Sequence, residues 1–222
     1  MSINAPYKSP AELPGTIPIF PLAGVLLLPR GELPLNIFEP RYLAMVDDAL
    51  KSHRIIGMIQ PNSEAGGTRN VPALFGVGCA GRITQFAETG DGRYILTLTG
   101  IARYRVQAEM PVLTQYRQVQ SDFDAYTEDF IPGYGEEDVD RASVLKTLDD
   151  FAKCNKLKID WKSIEEASNE ALVNALSMMS PFGPKEKQAL LEAESLKARA
   201  DVLVAITQME LARSNNNTNS IQ

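Results

Sequence analysis

The chain has 222 residues, of which 44% are hydrophobic and 23% are charged, and its formal net charge is −6 at pH 7. A globular chain of this size can bury a sizeable hydrophobic core without disulfide bonds or a structural metal. Its excess of acidic residues excludes the clustered basic surface on which nucleic-acid binding depends. With two cysteines and a single histidine, the sequence indicates neither a disulfide framework nor a zinc site.

Prolines divide the beginning of the chain into short segments. Residues 1–13 are polar and contain prolines, which predicts a loose N-terminal arm. After residue 14, short apolar runs alternate with prolines that remove a backbone donor from any β-ladder, so each run can form only a short strand that ends at a corner. Such strands are typical of a small closed or half-closed barrel. The dividing prolines are Pro18, Pro21, Pro29 and Pro34.

The next segment, from Pro40 to Leu50, changes to a helical period. Tyr42, Leu43 and Val46 fall on one stripe with Leu50, and Pro40 occupies the first turn, where its missing N–H has no cost. We therefore predict one helix that crosses the barrel.

The β-rich part of the chain continues to residue 126. A Gly90–Gly92 turn lies between two long runs of strand-forming residues and predicts a hairpin. Gly100 interrupts the second strand of this hairpin, which indicates a bulge or a bend. Residues 14–126 are thus predicted to form one β-rich subdomain. After the crossing helix, its strands are expected at residues 55–59, 74–87, 93–106 and 115–122.

An acidic segment, residues 127–138, separates this subdomain from the rest of the chain. It contains five acids, two glycines and a proline, and it shows no hydrophobic period. These features predict a solvated linker.

The remainder of the chain, residues 139–213, is predicted to be a helical subdomain. Ser163–Glu166 has the S-x-x-E pattern of a capping box, and Ser195 precedes the last apolar stripe as a second cap. Residues 214–222 are rich in asparagine and are predicted to be a disordered tail. The expected helices cover residues 139–151, 163–179, 184–193 and 196–213.

No motif of a known catalytic site is complete. Gly76–Gly81 spells G-x-G-x-x-G, but no helix follows it to meet a pyrophosphate, so we interpret it as glycines in a bent strand. Ser143–Lys146 spells S-x-x-K without its companion elements, and His53 has no carboxylate close in sequence to orient it. The sequence contains neither a Walker A lysine motif nor a serine elbow. We therefore predict no catalytic residue, no metal, no cofactor and no enzymatic activity.

Four motifs, in order, resemble the N-terminal, substrate-binding domain of Lon protease. They are the proline-divided segment Ile17–Leu50, the strand Gly78–Ile83, the strand Leu96–Arg103 and the segment Lys187–Arg199, which is similar to the family's K-Q-x-L-L-E-x-x-x-L-x-x-R signature. Together they cover roughly residues 14–212. The resemblance is to the form of this domain that occurs alone in short bacterial proteins, without the ATPase and peptidase domains.

The resemblance implies an α+β fold with a PUA-like N-terminal β-barrel, one crossing helix and a C-terminal helical bundle. It implies a non-catalytic module that binds unfolded polypeptides, or that docks on a protease or another protein partner. The alternatives are an RNA-binding PUA-like protein and an ATP-independent hydrolase with an unrecognised site, and the negative charge of the chain argues against RNA. The oligomeric state, monomer or weak dimer, stays open.

No membrane partner is expected. The longest uninterrupted apolar run, residues 202–206, is far shorter than the ~20 residues that a membrane-spanning helix needs. The first residues also lack the apolar stretch of a secretory signal, so we expect a cytoplasmic location.

The candidate binding residues lie at the start of the predicted crossing helix and are Phe38, Glu39, Arg41 and Tyr42. A functional interpretation makes Arg41 and Tyr42 part of a peptide-contact surface, because arginine and tyrosine are favoured at interfaces. A structural interpretation places Tyr42 in the core and has Glu39 cap the helix while it pairs with an arginine of the barrel, Arg82 or Arg103. The helical stripe favours the structural interpretation for Tyr42.

Overall fold

The computed structural model describes residues 5–68 and 71–219. The chain divides into two compact units, Met1–Pro132 and Gly133–Gln222, and the division falls within the acidic segment 127–138. Among the described residues, the first unit contains all six strands and one α-helix, whereas α-helices dominate the second.

The first unit is built on a six-stranded sheet. Its strand order is β2-β5-β4-β3-β1-β6, and β6 pairs again with β5, so the pairings form a closed circuit. The β1–β3 pair is parallel and the other pairs are antiparallel. The strands are β1 (Thr16–Pro21), β2 (Glu32–Ile37), β3 (Ile55–Pro61), β4 (Leu74–Glu88), β5 (Tyr94–Glu109) and β6 (Gln118–Asp122).

The apolar run between β1 and β2 is buried without forming a strand. Leu26, Leu27 and Leu28 are at most 2% exposed, yet no ladder pairing involves them. This differs from the prediction that each proline-divided run is a strand. Pro21 and Pro29 bound the run, and the buried leucines supply core packing instead.

The predicted interruption at Gly100 is a β-bulge. Gly81 pairs with Gly100 and Ala80 pairs with Ala102, so Ile101 is the extra residue on β5. A Cβ atom at Gly100 would collide with the carbonyl oxygen of Leu28, which explains why glycine is required there. A second shift places Thr84 as the extra residue on β4, between the Ile83 and Gln85 pairings.

Tyr104 lies at the centre of the first unit's core. The side chain is fully buried, and a Cβ atom at either Gly57 or Gly78 would lie within 2.6 Å of its hydroxyl oxygen. The two glycines therefore make the space that the phenol ring occupies. Within the described residues the hydroxyl has no hydrogen-bond partner, and burial raises the pKa of Tyr104 well above its usual value.

Helix α1 spans Pro40–Leu50, as the sequence predicts. Its buried face consists of Tyr42, Met45, Val46 and Ala49. Two aspartates of the helix accept hydrogen bonds from the body of the unit. The Tyr94 hydroxyl donates to Asp47 Oδ1 at 2.9 Å, and the Tyr116 hydroxyl donates to Asp48 Oδ2 at 2.8 Å.

The N-terminal segment, predicted to be a loose arm, packs on the sheet from residue 5 onward. The Ala5 carbonyl oxygen accepts a hydrogen bond from Arg82 at 2.8 Å, and the Tyr7 ring lies 4.2 Å from the guanidinium carbon of Arg82. Leu13 belongs to the core. The reason for the difference is Arg82 itself, because a buried guanidinium requires partners that a strand interior does not supply.

The beginning of the predicted acidic linker is also packed rather than solvated. Asp124–Phe130 forms a 3₁₀-helix in which Asp129 is buried. The Asp129 carboxylate accepts hydrogen bonds from the backbone N–H and the side chain of Arg103 at 2.8–2.9 Å. Both side chains are at most 8% exposed. The sequence analysis missed this ion pair because its partners are 26 residues apart.

The described part of the second unit, up to residue 219, contains five α-helices. Asp140, Asp160, Ser168 and Ser195 each accept a backbone hydrogen bond at a helix start. The predicted capping box at Ser163 is therefore wrong, because Ser163 lies inside a helix that starts at Trp161 and is capped by Asp160. The predicted helix 163–179 is also divided, since this helix ends at Glu166 and the next one, capped by Ser168, starts at Asn169. The last helix continues to Asn219, beyond the predicted start of the tail at residue 214. The helices are α2 (Arg141–Asn155), α3 (Trp161–Glu166), α4 (Asn169–Met179), α5 (Pro184–Glu192) and α6 (Leu196–Asn219).

The signature segment Lys187–Arg199 stabilises the interior of this helical unit. Lys187 Nζ donates to the Met178 carbonyl at 3.0 Å, and Arg199 Nε donates to the Leu190 carbonyl at 2.9 Å. Each cation thus binds a carbonyl near the end of a helix, where such groups lack an intrahelical donor. Burial lowers the pKa of Lys187. The motif is explained by helix packing.

Candidate functional site

The segment Phe38–Tyr42 connects β2 to α1 and contains side chains of very different exposure. Phe38 is 60% exposed, whereas Tyr42 is 7% exposed and its ring centroid lies 4.3 Å from that of Phe20. Arg41 and Glu39 are partly exposed and form an ion pair at 2.8 Å. The Arg41 guanidinium carbon also lies 4.5 Å from the centroid of the Tyr42 ring. Tyr42 is therefore a core residue with one face beneath Arg41.

Glu39 does not make the contacts that the sequence analysis expected. It precedes α1, but its side chain makes no capping hydrogen bond. Its partner is Arg41, two residues away, whose Nε donates to Glu39 Oε2 at 2.9 Å. The two arginines predicted as its partners are engaged elsewhere, Arg82 with Ala5 and Tyr7, and Arg103 with Asp129.

A groove of about 420 Å³ opens beside the N-terminal end of α1. It brings together Arg41 and Tyr42, but Phe38 and Glu39 are not among its lining residues. The other side of the groove is formed by the segments before β4 and β6. These segments are distant from α1 in the sequence, so their position in the groove could not be predicted. The lining residues that matter most here are Arg41, Tyr42, Val71, Pro72, Tyr116 and Arg117.

The charge in this groove is balanced locally. Arg117 binds Glu109 through two nitrogens at 2.7 Å each, and these hydrogen bonds lower the pKa of Glu109. Arg117 also donates to the Pro72 carbonyl at 2.9 Å, which fixes one wall. Arg41 is paired with Glu39, and two of its nitrogens contact Glu39 Oε2. The groove therefore presents apolar and aromatic surface with two arginines whose charges are already matched.

Tyr116 links the groove to α1. Its side chain is 8% exposed and its hydroxyl donates to Asp48 at 2.8 Å. Burial and this hydrogen bond raise the pKa of Tyr116 to about 12. The neutral phenol is thus the form that the folded chain stabilises.

This raised pKa predicts a loss of stability at high pH. Because the pKa of Tyr116 is about 12 in the folded chain and about 10 in the unfolded chain, its contribution is complete below pH ~10 and is lost as the pH approaches 12. Urea unfolding between pH ~9 and ~12 should show the free-energy difference between wild type and Tyr116→Phe shrinking across this range. A Tyr134→Phe variant, at a partly exposed ring, is the control. If the difference in unfolding free energy between wild type and Tyr116→Phe did not change with pH, the raised pKa of Tyr116 would be contradicted.

The residues weighed as catalytic motifs have structural roles in the described chain. Gly76–Gly81 lies inside β4, so its glycines do not precede a helix. His53 Nδ1 accepts the Ile55 N–H at 3.2 Å at the entry to β3, and burial lowers the pKa of His53. Across residues 5–68 and 71–219, no cluster of three or more histidine, cysteine, aspartate or glutamate side chains could hold a metal ion. No α-helix in those ranges is long and apolar enough to cross a membrane.

Comparisons with known proteins identify related sequences. The family described as the ATP-dependent protease La (LON) substrate-binding domain matches residues 16–208. Lon protease 3 of Sorangium cellulosum is 26% identical over 219 residues, which cover 94% of this chain and 24% of that protein. Lon protease 2 of Thermus thermophilus is 23% identical over 208 residues, covering 90% of this chain and 25% of that protein. The chain thus spans about a quarter or less of these curated relatives.

Solved structures share the fold. The Lon N-terminal domain protein from Xanthomonas campestris has a TM-score of 0.59 at 21% identity, over 86% of this chain and 97% of that chain. The N-terminal domain of Mycobacterium avium complex Lon protease has a TM-score of 0.60 at 16% identity, over 87% of this chain and 98% of that chain. The likeness covers most of the chain in both cases.

Proposed function

Because this chain belongs to the family of the ATP-dependent protease La (LON) substrate-binding domain, we propose that it is a non-catalytic module that binds unfolded polypeptide in the groove beside α1. The observation that supports this location is the combination of apolar walls with Arg41 and Arg117 in one opening of about 420 Å³. Concave, mostly apolar surfaces with a few fixed polar groups are the usual form of a binding site.

The residues that line the groove suit a polypeptide with apolar side chains. Val71 is 55% exposed at one wall, and the largely buried rings of Tyr42 and Tyr116 lie behind the others. Aromatic residues and arginine are enriched where protein surfaces bind one another. Because Arg41 and Arg117 are each matched by a glutamate, apolar burial rather than net charge supplies most of the affinity.

The proposal includes a finer description of the fold. The closed circuit of pairings through β5, β4, β3, β1 and β6 is that of a small barrel, which supports the PUA-like barrel implied by the family resemblance. In the second unit, α6 packs against α2, α4 and α5, which supports a helical bundle.

Binding of an unfolded protein tests the proposed function directly. Fluorescently labelled β-casein should bind with a Kd on the order of 1 µM, equivalent to about −8 kcal/mol. The Kd should change little between about 50 and 500 mM salt, because screening weakens charge contacts and leaves apolar burial intact. Fluorescence anisotropy measures both. The absence of β-casein binding would contradict the proposed function. A steep loss of affinity with salt would show that charge contacts, rather than apolar burial, drive the binding.

Arg41→Ala tests the location of the binding surface. Arg41 lines the groove and stacks on Tyr42, so its removal should weaken β-casein binding by about fivefold or more. The matched control is Arg93→Ala, because Arg93 pairs with Asp91 two residues earlier just as Arg41 pairs with Glu39, and Arg93 does not line the groove. Equal affinity of the two variants would place the surface elsewhere.

A further inference from the structure

Strand β2 lies at one end of the sheet order and pairs on one side only. It forms an antiparallel ladder with β5, from Glu32 opposite Thr99 to Ile37 opposite Tyr94. Among the residues that the structure describes, no strand pairs with the other edge of β2. This strand is thus left outside the closed circuit of the sheet, and it has an open edge.

Hydrogen bonding around β5 shows which backbone groups of β2 point to this open edge. The Gly100 N–H donates to the Gly31 carbonyl at 2.8 Å, and hydrogen-bonded pairs recur at every second residue of an antiparallel ladder. On the β4 side, the Thr89 N–H donates to the Arg93 carbonyl at 2.9 Å, which gives β5 the same phase. The odd-numbered residues of β2 therefore bond to β5. The residues whose backbone groups point to the open edge are Glu32, Pro34 and Asn36.

The apolar side chains of β2 are incompletely covered. Leu33 and Leu35 pair with Leu98 and Leu96, which are buried, so this row of β2 faces the core. Ile37 in the same row is buried, but Leu33 and Leu35 are partly exposed. A strand added along the open edge would place alternate side chains beside these two leucines and complete their burial.

The opposite row of β2 is exposed and contains a charge that has no partner. Glu32, Pro34 and Asn36 are all exposed. Within residues 5–68 and 71–219, Glu32 takes part in no ion pair. A strand on the open edge would place one side chain directly opposite Glu32, and a lysine or arginine is favoured at that position.

Pro34 argues against a second copy of this chain as the added strand. Proline lacks an N–H, so any strand that pairs with this edge loses one hydrogen bond at Pro34. Two copies of β2 paired edge to edge would lose two hydrogen bonds in one short ladder. In addition, β2 contains no lysine or arginine that could match Glu32 of the other copy.

We propose that the open edge of β2 binds an extended segment of another polypeptide as an added strand. That segment has apolar residues at alternate positions and a basic residue opposite Glu32. In this mode the main chain supplies most of the hydrogen bonds, and the alternate side chains supply the selectivity. No residue of β2 lines the groove beside α1, so this site is separate from the groove.

A pair of backbone-methylated peptides tests this mode of binding. The probe is a fluorescein-labelled heptapeptide with lysine at each end and alternate valine and threonine between, and fluorescence anisotropy measures its binding to the full chain. One form is N-methylated at valines and the other at threonines, so that only one form loses the N–H groups that point to β2. One form should bind at least about tenfold more weakly than the unmodified peptide, and the other should bind as the unmodified peptide does.

Asn36→Pro tests the location of the added strand. It removes an N–H that points to the open edge and no hydrogen bond to β5, and Pro34 already occupies an equivalent position. Affinity for the heptapeptide should fall by about fivefold. The matched control is Asn36→Ala, which keeps the N–H and should bind as wild type does. Glu32→Gln should weaken binding by about threefold. Thermal unfolding confirms that each variant is folded.

Three results would overturn the proposal. The first is equal binding of the two methylated peptides, which requires no variant, and the second is undiminished binding by folded Asn36→Pro. The third is a dimer of the full chain, detected by sedimentation velocity, that Asn36→Pro abolishes, because a second copy would then occupy the edge. Arg41→Ala should leave heptapeptide binding unchanged. Failure at the edge is therefore distinguishable from failure of the proposed function in the groove.

Discussion

Replacement of Asp129 by alanine is expected to destabilise the chain by about 3–5 kcal/mol, because it leaves the buried guanidinium of Arg103 without its carboxylate. The pair is at most 8% exposed and has three hydrogen bonds of 2.8–2.9 Å. The same change removes the ion pair that joins the 3₁₀-helix Asp124–Phe130 to β5. Urea unfolding, followed by circular dichroism, measures the loss.

Two further variants isolate the cause of this loss. Asp201→Ala removes an exposed ion pair with Lys197 and should change stability little, since such pairs contribute little in water. The double variant Arg103→Met with Asp129→Ala should lose less than the sum of the two single variants, because no uncompensated buried charge remains. A cost for Asp129→Ala no larger than that for Asp201→Ala would contradict a structural role for the pair.

Tyr42→Ala is expected to cost about 3–5 kcal/mol of folding free energy, the usual cost of removing a large ring from a core. The side chain is 7% exposed and packs on Phe20, and its loss leaves a cavity beneath Arg41. Chemical denaturation of the full chain measures this cost.

The control for this prediction lies in the same segment. Phe38→Ala removes a ring of similar size that is 60% exposed, so it should change stability by no more than about 0.5 kcal/mol. A similar cost for both variants would show that burial does not separate the two rings. If Tyr42→Ala is destabilising, and Arg41→Ala weakens β-casein binding without loss of stability, Tyr42 supports the groove while Arg41 contacts the ligand.

The local features of the fold could be predicted from the sequence. Helix α1 has the predicted limits because Pro40 fits only the first turn and the apolar stripe ends at Leu50. The bulge at Gly100 was indicated by a glycine inside a strand. Ser195 caps α6 as expected. These signals act over a few residues, and no distant contact opposes them.

The long-range features could not be predicted. Asp129 belongs to a segment with many acids, and its burial is determined by Arg103 on a strand 26 residues earlier. The groove depends on Tyr116 and Arg117 lying opposite α1, which follows only from the closure of the sheet. The sequence does contain one indication of these long-range contacts, because Arg82 and Arg103 are charged residues within otherwise apolar strands. A buried arginine requires a hydrogen-bond or ion-pair partner, but the sequence alone does not identify that partner.

The closed circuit of strands also has a consequence for the order of events during synthesis. β1 pairs with β6 at Thr16 and Gln120, about 100 residues apart. At ~5–20 residues per second, the ribosome needs roughly 5–20 s to make the chain between them. During that time one edge of β1 lacks its partner, and such open edges invite pairing with other chains. The β4–β5 hairpin can form early, but the sheet closes only when β6 has been made.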